Sequence, residues 1–160
     1  MGSGKSSVGR ALSTLLRQPF IDLDEYIETR TGRTIPEIFD SEGEEGFREI
    51  ESAALEELLA DGIPQRDFVL SLGGGTVIRK ENAALIAHKC RCVFLRASAG
   101  TLRSRLEGES EGRPMLRDGG FERLLSARAP IYEKVADIVI DTDSLNPQEI
   151  ALLIAQGNKL

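Results

Sequence analysis

An α/β domain with a mostly parallel sheet flanked by helices is the fold class this sequence predicts. Three observations carry it. Short apolar segments of strand length alternate with segments whose apolar residues recur at helical spacing. One of the short segments, residues 68–72, is continuously apolar, as expected of a strand covered on both faces. A glycine-rich loop, residues 2–6, runs straight into the first helical segment, the arrangement of a phosphate-binding loop.

The 160 residues are enough for one domain with a real core, and no linker, repeat or second domain interrupts them. The 41% hydrophobic and 29% charged fractions are those of a soluble globular chain. A net charge of −6 argues against broad nucleic-acid binding, although a phosphate site depends on local charge. No run reaches membrane-spanning length and no signal peptide is visible, so a cytoplasmic location is expected.

Taken in order, Val8, Leu12, Leu15 and Leu16 repeat at helical spacing, and Gln18 and Pro19 stop that helix. Residues 19–24 read as a short strand ending in acids. Residues 25–31 read as a helix ended by Gly32. Thr34 starts another helix with Pro36 in its first turn, and residues 45–60 form a strong helix. After the strand at 68–72 come Gly73, Gly74 and Gly75, a helix at 80–87, a strand at 90–95 and a helix at 99–106. Residues 107–119, rich in Gly, Glu and Arg, suit a mobile segment. A helix at 121–132, a strand at 136–140 and a helix at 147–155 close the chain. Cys90 and Cys92 would share one strand face with Arg91 opposite. They have no matching pair for zinc or a disulfide framework and read as small strand residues in a reducing compartment.

Residues 2–6, Gly-Ser-Gly-Lys-Ser, are the back half of a Walker A loop. Glycines let backbone N–H groups converge on phosphate oxygens, and the helix start adds its positive end. Lys5 would span the β- and γ-phosphates and Ser6 would ligate Mg²⁺. ATP would thus lie along Gly2, Ser3, Gly4, Lys5, Ser6 and Ser7. The first glycine of the full pattern would fall one residue before Met1, and the strand that feeds such a loop is missing from residues 1–160. Either the start is misassigned or truncated, or the chain is a damaged protein; if residues 1–160 are all that exists, poor folding and weak ATP affinity are expected.

Asp22 and Asp24, two apart on a strand, would crowd one site, one meeting a metal and the other a substrate hydroxyl. They also fit a solvent-exposed strand end. Arg48 lies in an acidic stretch and reads either as a surface ion-pair partner or as a fork for a planar carboxylate. Arg128 suits the same fork role. Three consecutive glycines after an apolar strand suggest close approach to the backbone, or a plain flexible loop. Arg103, Arg105, Arg113 and Arg117 concentrate positive charge that suits a triphosphate, or ordinary solvation. His88, the only histidine, reads as a helix-end residue.

In their order and spacing, residues 2–6, Asp22 with Asp24, Phe47 and Arg48 with Glu51, residues 73–75, residues 113–116 and residues 128–132 resemble the shikimate kinase family over nearly the whole chain. The resemblance implies a P-loop fold of the nucleoside-monophosphate-kinase type, its first strand missing here. It implies transfer of the γ-phosphoryl of ATP to the 3-hydroxyl of shikimate, with Mg²⁺, in chorismate biosynthesis. Asp22 would belong to the magnesium shell. Asp24 would bind and orient the attacking hydroxyl. Arg48 and Arg128 would clamp the carboxylate, with the backbone of Gly73, Gly74 and Gly75 alongside. Arg113 would be the lid arginine and Arg105 the one stacked on adenine. Residues 25–60 would form the substrate-binding region and 107–119 the lid. A monomer without nucleic-acid or membrane partners is expected. The alternatives are a kinase of the same fold with another hydroxy or sugar acid, or a degenerate nucleotide-binding protein.

Overall fold

Gly4 opens the first helix in a left-handed conformation (φ 80°) that a residue with a Cβ resists. Helix α1 (Lys5–Leu16) buries Val8 and Leu12. Gly9 lets it lie directly on the Phe20 ring, which a Cβ there would strike. The computed structural model describes residues 2–60, 67–107 and 120–157. The lid expected at 107–119 lies outside them apart from its first residue, and Arg113 and Arg117 with it.

Strand β1 (Phe20–Asp22) is shorter than expected. The Asp22 carboxylate accepts from the Asp24 N–H at 3.1 Å, capping helix α2 (Leu23–Thr31). Asp24 therefore sits in the first turn of a helix and not on the strand, because an aspartate cap starts the helix two residues earlier than apolar periodicity indicates. Helix α3 (Ile35–Leu58) starts with a reciprocal cap: the Thr34 hydroxyl accepts from the Glu37 N–H, and the Glu37 carboxylate accepts from the Thr34 N–H. The two helical segments expected here join across a kink at Gly43 (φ 72°, ψ −174°).

Strand β2 (Val69–Ser71) leads through the three glycines to one 3-10 turn, Thr76–Ile78, and helix α4 (Lys80–Lys89). Cys90 ends α4 and Cys92 precedes strand β3 (Val93–Arg96), so neither cysteine is in a strand as expected. The cause is α4 running two residues further than its pattern indicated. His88 lies exposed in the last turn of α4, as expected. Helices α5 (Ala99–Glu107) and α6 (Gly120–Val135), strand β4 (Ile138–Asp141) and helix α7 (Pro147–Gly157) complete the order.

The strands form two parallel pairs, β1 with β2 and β3 with β4. Among the described residues β2 and β3 are not hydrogen-bonded to each other. A largely apolar cavity of about 290 Å³ lies between them, walled by residues of both strands and by Val8, Leu12 and Ile154. The core likewise has two main clusters, beside a small one around Leu102. One cluster joins α2, α3 and α4 through Leu23, Ile27, Ile38, Phe47, Leu55 and Ile86. The other joins α1 and α7 to β3 and β4 through Val8, Leu12, Leu95, Ile140, Ile150 and Ile154. Each fully buried aliphatic side chain contributes about 1.5–3 kcal/mol relative to exposure. The first cluster anchors the helices that carry Asp24 and Arg48, and the second anchors the helix that carries Lys5.

Candidate active site

The start of α1 and the end of β1 meet at one point. The Ser6 hydroxyl donates to the Asp22 carboxylate at 2.9 Å. Asp22 spends its other oxygen on the α2 cap, so its orientation is fixed from both sides. In the first turn of α2, the Asp24 carboxyl is held above the usual carboxylate range. Burial is the largest cause, followed by the charges of Asp22 and Glu51, while Lys5 acts in the opposite direction. Lys5 and Asp24 thus feel each other's charge. Ser3 and Lys5 line the cavity between β2 and β3 together with Gly73 and Gly74. Asp24, Arg48 and Arg128 lie outside that cavity.

The glycine segment is where the remaining groups converge, and each glycine is crowded differently. A Cβ on Gly73 would sit 3.1 Å from a Glu51 oxygen, 3.2 Å from the Thr76 hydroxyl and 3.3 Å from an Asp24 oxygen. A Cβ on Gly75 would run into the Arg48 guanidinium. Gly74 is looser, with Tyr132 and Arg128 as its neighbours. The close approach anticipated from three glycines is therefore made, at Gly73 and Gly75, by the chain's own charged side chains.

Arg48 is mostly buried and stands over the Phe47 ring at 5.2 Å. It donates to Glu51 at 2.7 Å, one turn further along α3. Glu51 is only 1% exposed, and its second oxygen accepts from the Thr76 hydroxyl at 2.7 Å. Asn82 in turn donates to the Thr76 carbonyl at 3.1 Å. A buried carboxylate with both oxygens occupied fixes its guanidinium partner against Gly75. From the opposite helix, α6, Arg128 reaches the Gly74 carbonyl at 3.4 Å, and the Tyr132 hydroxyl donates to the same oxygen at 2.5 Å. Two guanidiniums thus flank one glycine segment. Arg105 is brought elsewhere: it donates to the Thr142 carbonyl at 3.0 Å, after β4.

Sequence reasoning gave no role to Glu51, Thr76, Asn82 or Tyr132. Glu51 lies three residues after Arg48, the spacing of a helical ion pair, but four further acids within residues 42–49 mask that signal. Tyr132 lies four residues after Arg128, on the same helix face. Thr76 and Asn82 carry no local signal.

The family model for shikimate kinase matches residues 1–157. The chain belongs to the shikimate kinase family. Among its relatives, the shikimate kinase of Pseudomonas syringae pv. tomato is 45% identical over 159 residues, covering 96% of this chain and 89% of the relative. That of Dictyoglomus turgidum is 39% identical over 160 residues, covering 98% and 91%. Shikimate kinase from Acinetobacter baumannii, solved in complex with shikimate, superposes with a TM-score of 0.88 at 35% identity, over all of this chain and 90% of that one. The Aquifex aeolicus structure gives 0.84 at 34% identity, over all of this chain and 94% of that one. The kinase family's parallel α/β fold is the one found here, in two strand pairs.

Proposed function

We propose that this chain transfers the γ-phosphoryl of ATP to the 3-hydroxyl of shikimate, giving shikimate 3-phosphate. One observation carries the reading: two guanidiniums from different helices flank a glycine segment beside a carboxyl, Asp24, that feels the charge of the phosphate-loop lysine. A carboxylate suits a pair of planar forks. A hydroxyl on the same small molecule would then lie within reach of Asp24. The relative from Acinetobacter baumannii was solved with shikimate, which supports this choice of acid.

In this reading Gly2, Ser3, Gly4, Lys5, Ser6 and Ser7 cradle the triphosphate, and Lys5 follows the charge as it transfers. Arg113 assists from the lid, and Arg105 meets the nucleotide base. Asp24 orients the attacking hydroxyl, or takes its proton late in a loose transition state. Ser6 and Asp22 are two hard oxygen donors held 2.9 Å apart at a helix start, which fits a Mg²⁺ ion that keeps most of its waters. When bound, the ion would supply neutralisation of phosphate charge. The enzyme acts in the cytoplasm as a monomer.

The test is a coupled assay of ADP release with and without shikimate, run beside a panel of hydroxylated acids and neutral sugars. Release stimulated by shikimate and not by neutral sugars is expected. ATP binding without any response to an acid would leave a nucleotide-binding protein instead. In Arg128→Ala the shikimate KM should rise about tenfold or more at fixed ATP, the loss of a charge-assisted contact.

A further inference from the structure

The Gly74 carbonyl has two donors from one helix face, and they are unequal. Tyr132 donates to it at 2.5 Å, whereas Arg128 stands off at 3.4 Å. The tyrosine ring is fixed from behind by Phe94 of β3, with ring centres 5.2 Å apart. Its hydroxyl is therefore delivered by packing and does not depend on a ligand. No ion pair joins Arg128 to a carboxylate among the described residues, in contrast to Arg48, which Glu51 holds at 2.7 Å.

A partly buried carbonyl such as that of Gly74 loses stability without a donor, and a charged donor next to it would be drawn in. Were the hydroxyl absent, the Arg128 guanidinium would be the remaining α6 donor and would close on Gly74. We infer that Tyr132 is a positioning residue for acid recognition: its hydroxyl satisfies the Gly74 carbonyl and so leaves the Arg128 guanidinium available to the substrate carboxylate. This rests on the proposed binding of the acid between Arg48 and Arg128. The tyrosine touches neither substrate nor nucleotide in this account. It acts by removing a competitor for the arginine.

The experiment is a double-mutant cycle with Tyr132→Phe and Arg128→Ala, reading the shikimate KM, the ATP KM, kcat and the melting temperature. Tyr132→Phe keeps the ring against Phe94 and removes the hydroxyl alone. Its shikimate KM should rise about fivefold, the effect of one net hydrogen bond, with the ATP KM and melting temperature unchanged. In the Arg128→Ala background the same substitution should add nothing, because the competitor is gone. A further rise in that background, or a parallel rise in the ATP KM with a fall in melting temperature, would show a general structural role and overturn the inference. An unchanged shikimate KM in Tyr132→Phe beside a raised one in Arg128→Ala would remove the tyrosine assignment alone. An unchanged KM in Arg128→Ala would remove the proposed acid site, and this inference with it.

Discussion

Asp24 shows how a single side chain trades folding against chemistry. Burial and the neighbouring carboxylates of Asp22, Glu51 and Glu28 raise its pKa, so the folded chain holds this proton more tightly than the unfolded chain does. For a carboxyl the sign is then unfavourable: above the raised pKa the buried charge costs stability, and the cost disappears as pH falls through it. Asp24→Asn removes that charge without changing shape. Its melting temperature at about pH 8 should exceed that of the unmodified chain, with the gap narrowing as the solution is acidified. Turnover should fall roughly 100-fold or more, while ATP affinity measured by calorimetry stays close to its original value. Retained turnover would refute the orienting role of this carboxyl.

At the scale of elements, α3 and α6 act as the two jaws around residues 73–75, and their irregularities matter. Gly43 takes a backbone conformation within α3 that is open essentially to glycine alone. Gly43→Ala should cost about 1–3 kcal/mol, seen as a lower melting temperature, with the ATP KM unaffected because α1 is untouched. Gly75→Ala is a different kind of change. Its Cβ would displace the Arg48 guanidinium. The shikimate KM should rise about tenfold, within the 1–3 kcal/mol range of an overpacked site, while the ATP KM holds. Much of this site was legible in the chain. Residues 2–6 were marked by the pattern of a phosphate loop, and Asp22, Arg48, Arg128 and the glycine run by an order and spacing that resemble the family, while residue type alone left each of them a plain structural reading as well. What holds them in place was not legible. The Glu51 to Thr76 to Asn82 relay joins residues far apart in the chain, and only folding brings them into contact. Helix ends were misjudged where a cap outweighed apolar spacing, as at Asp22.

For the molecule as a whole, the two main core clusters divide the labour. Leu55 is fully buried in the cluster behind Asp24 and Arg48. Leu55→Ala should cost about 2–5 kcal/mol, measurable by urea denaturation. The parallel α/β class followed from the alternation of apolar segments. The division into two strand pairs depends on pairing that no local pattern encodes.

That division has a consequence for how the backbone breathes. Along a parallel strand, successive amides point to alternate sides. On β2 and β3 one side is engaged by β1 or β4, and the other faces the cavity. Deuterium uptake along these two strands should therefore alternate residue by residue, slow where the amide is shared with a neighbour and fast where it is not. Uniform protection would mean that solvent meets both sides of these strands equally seldom.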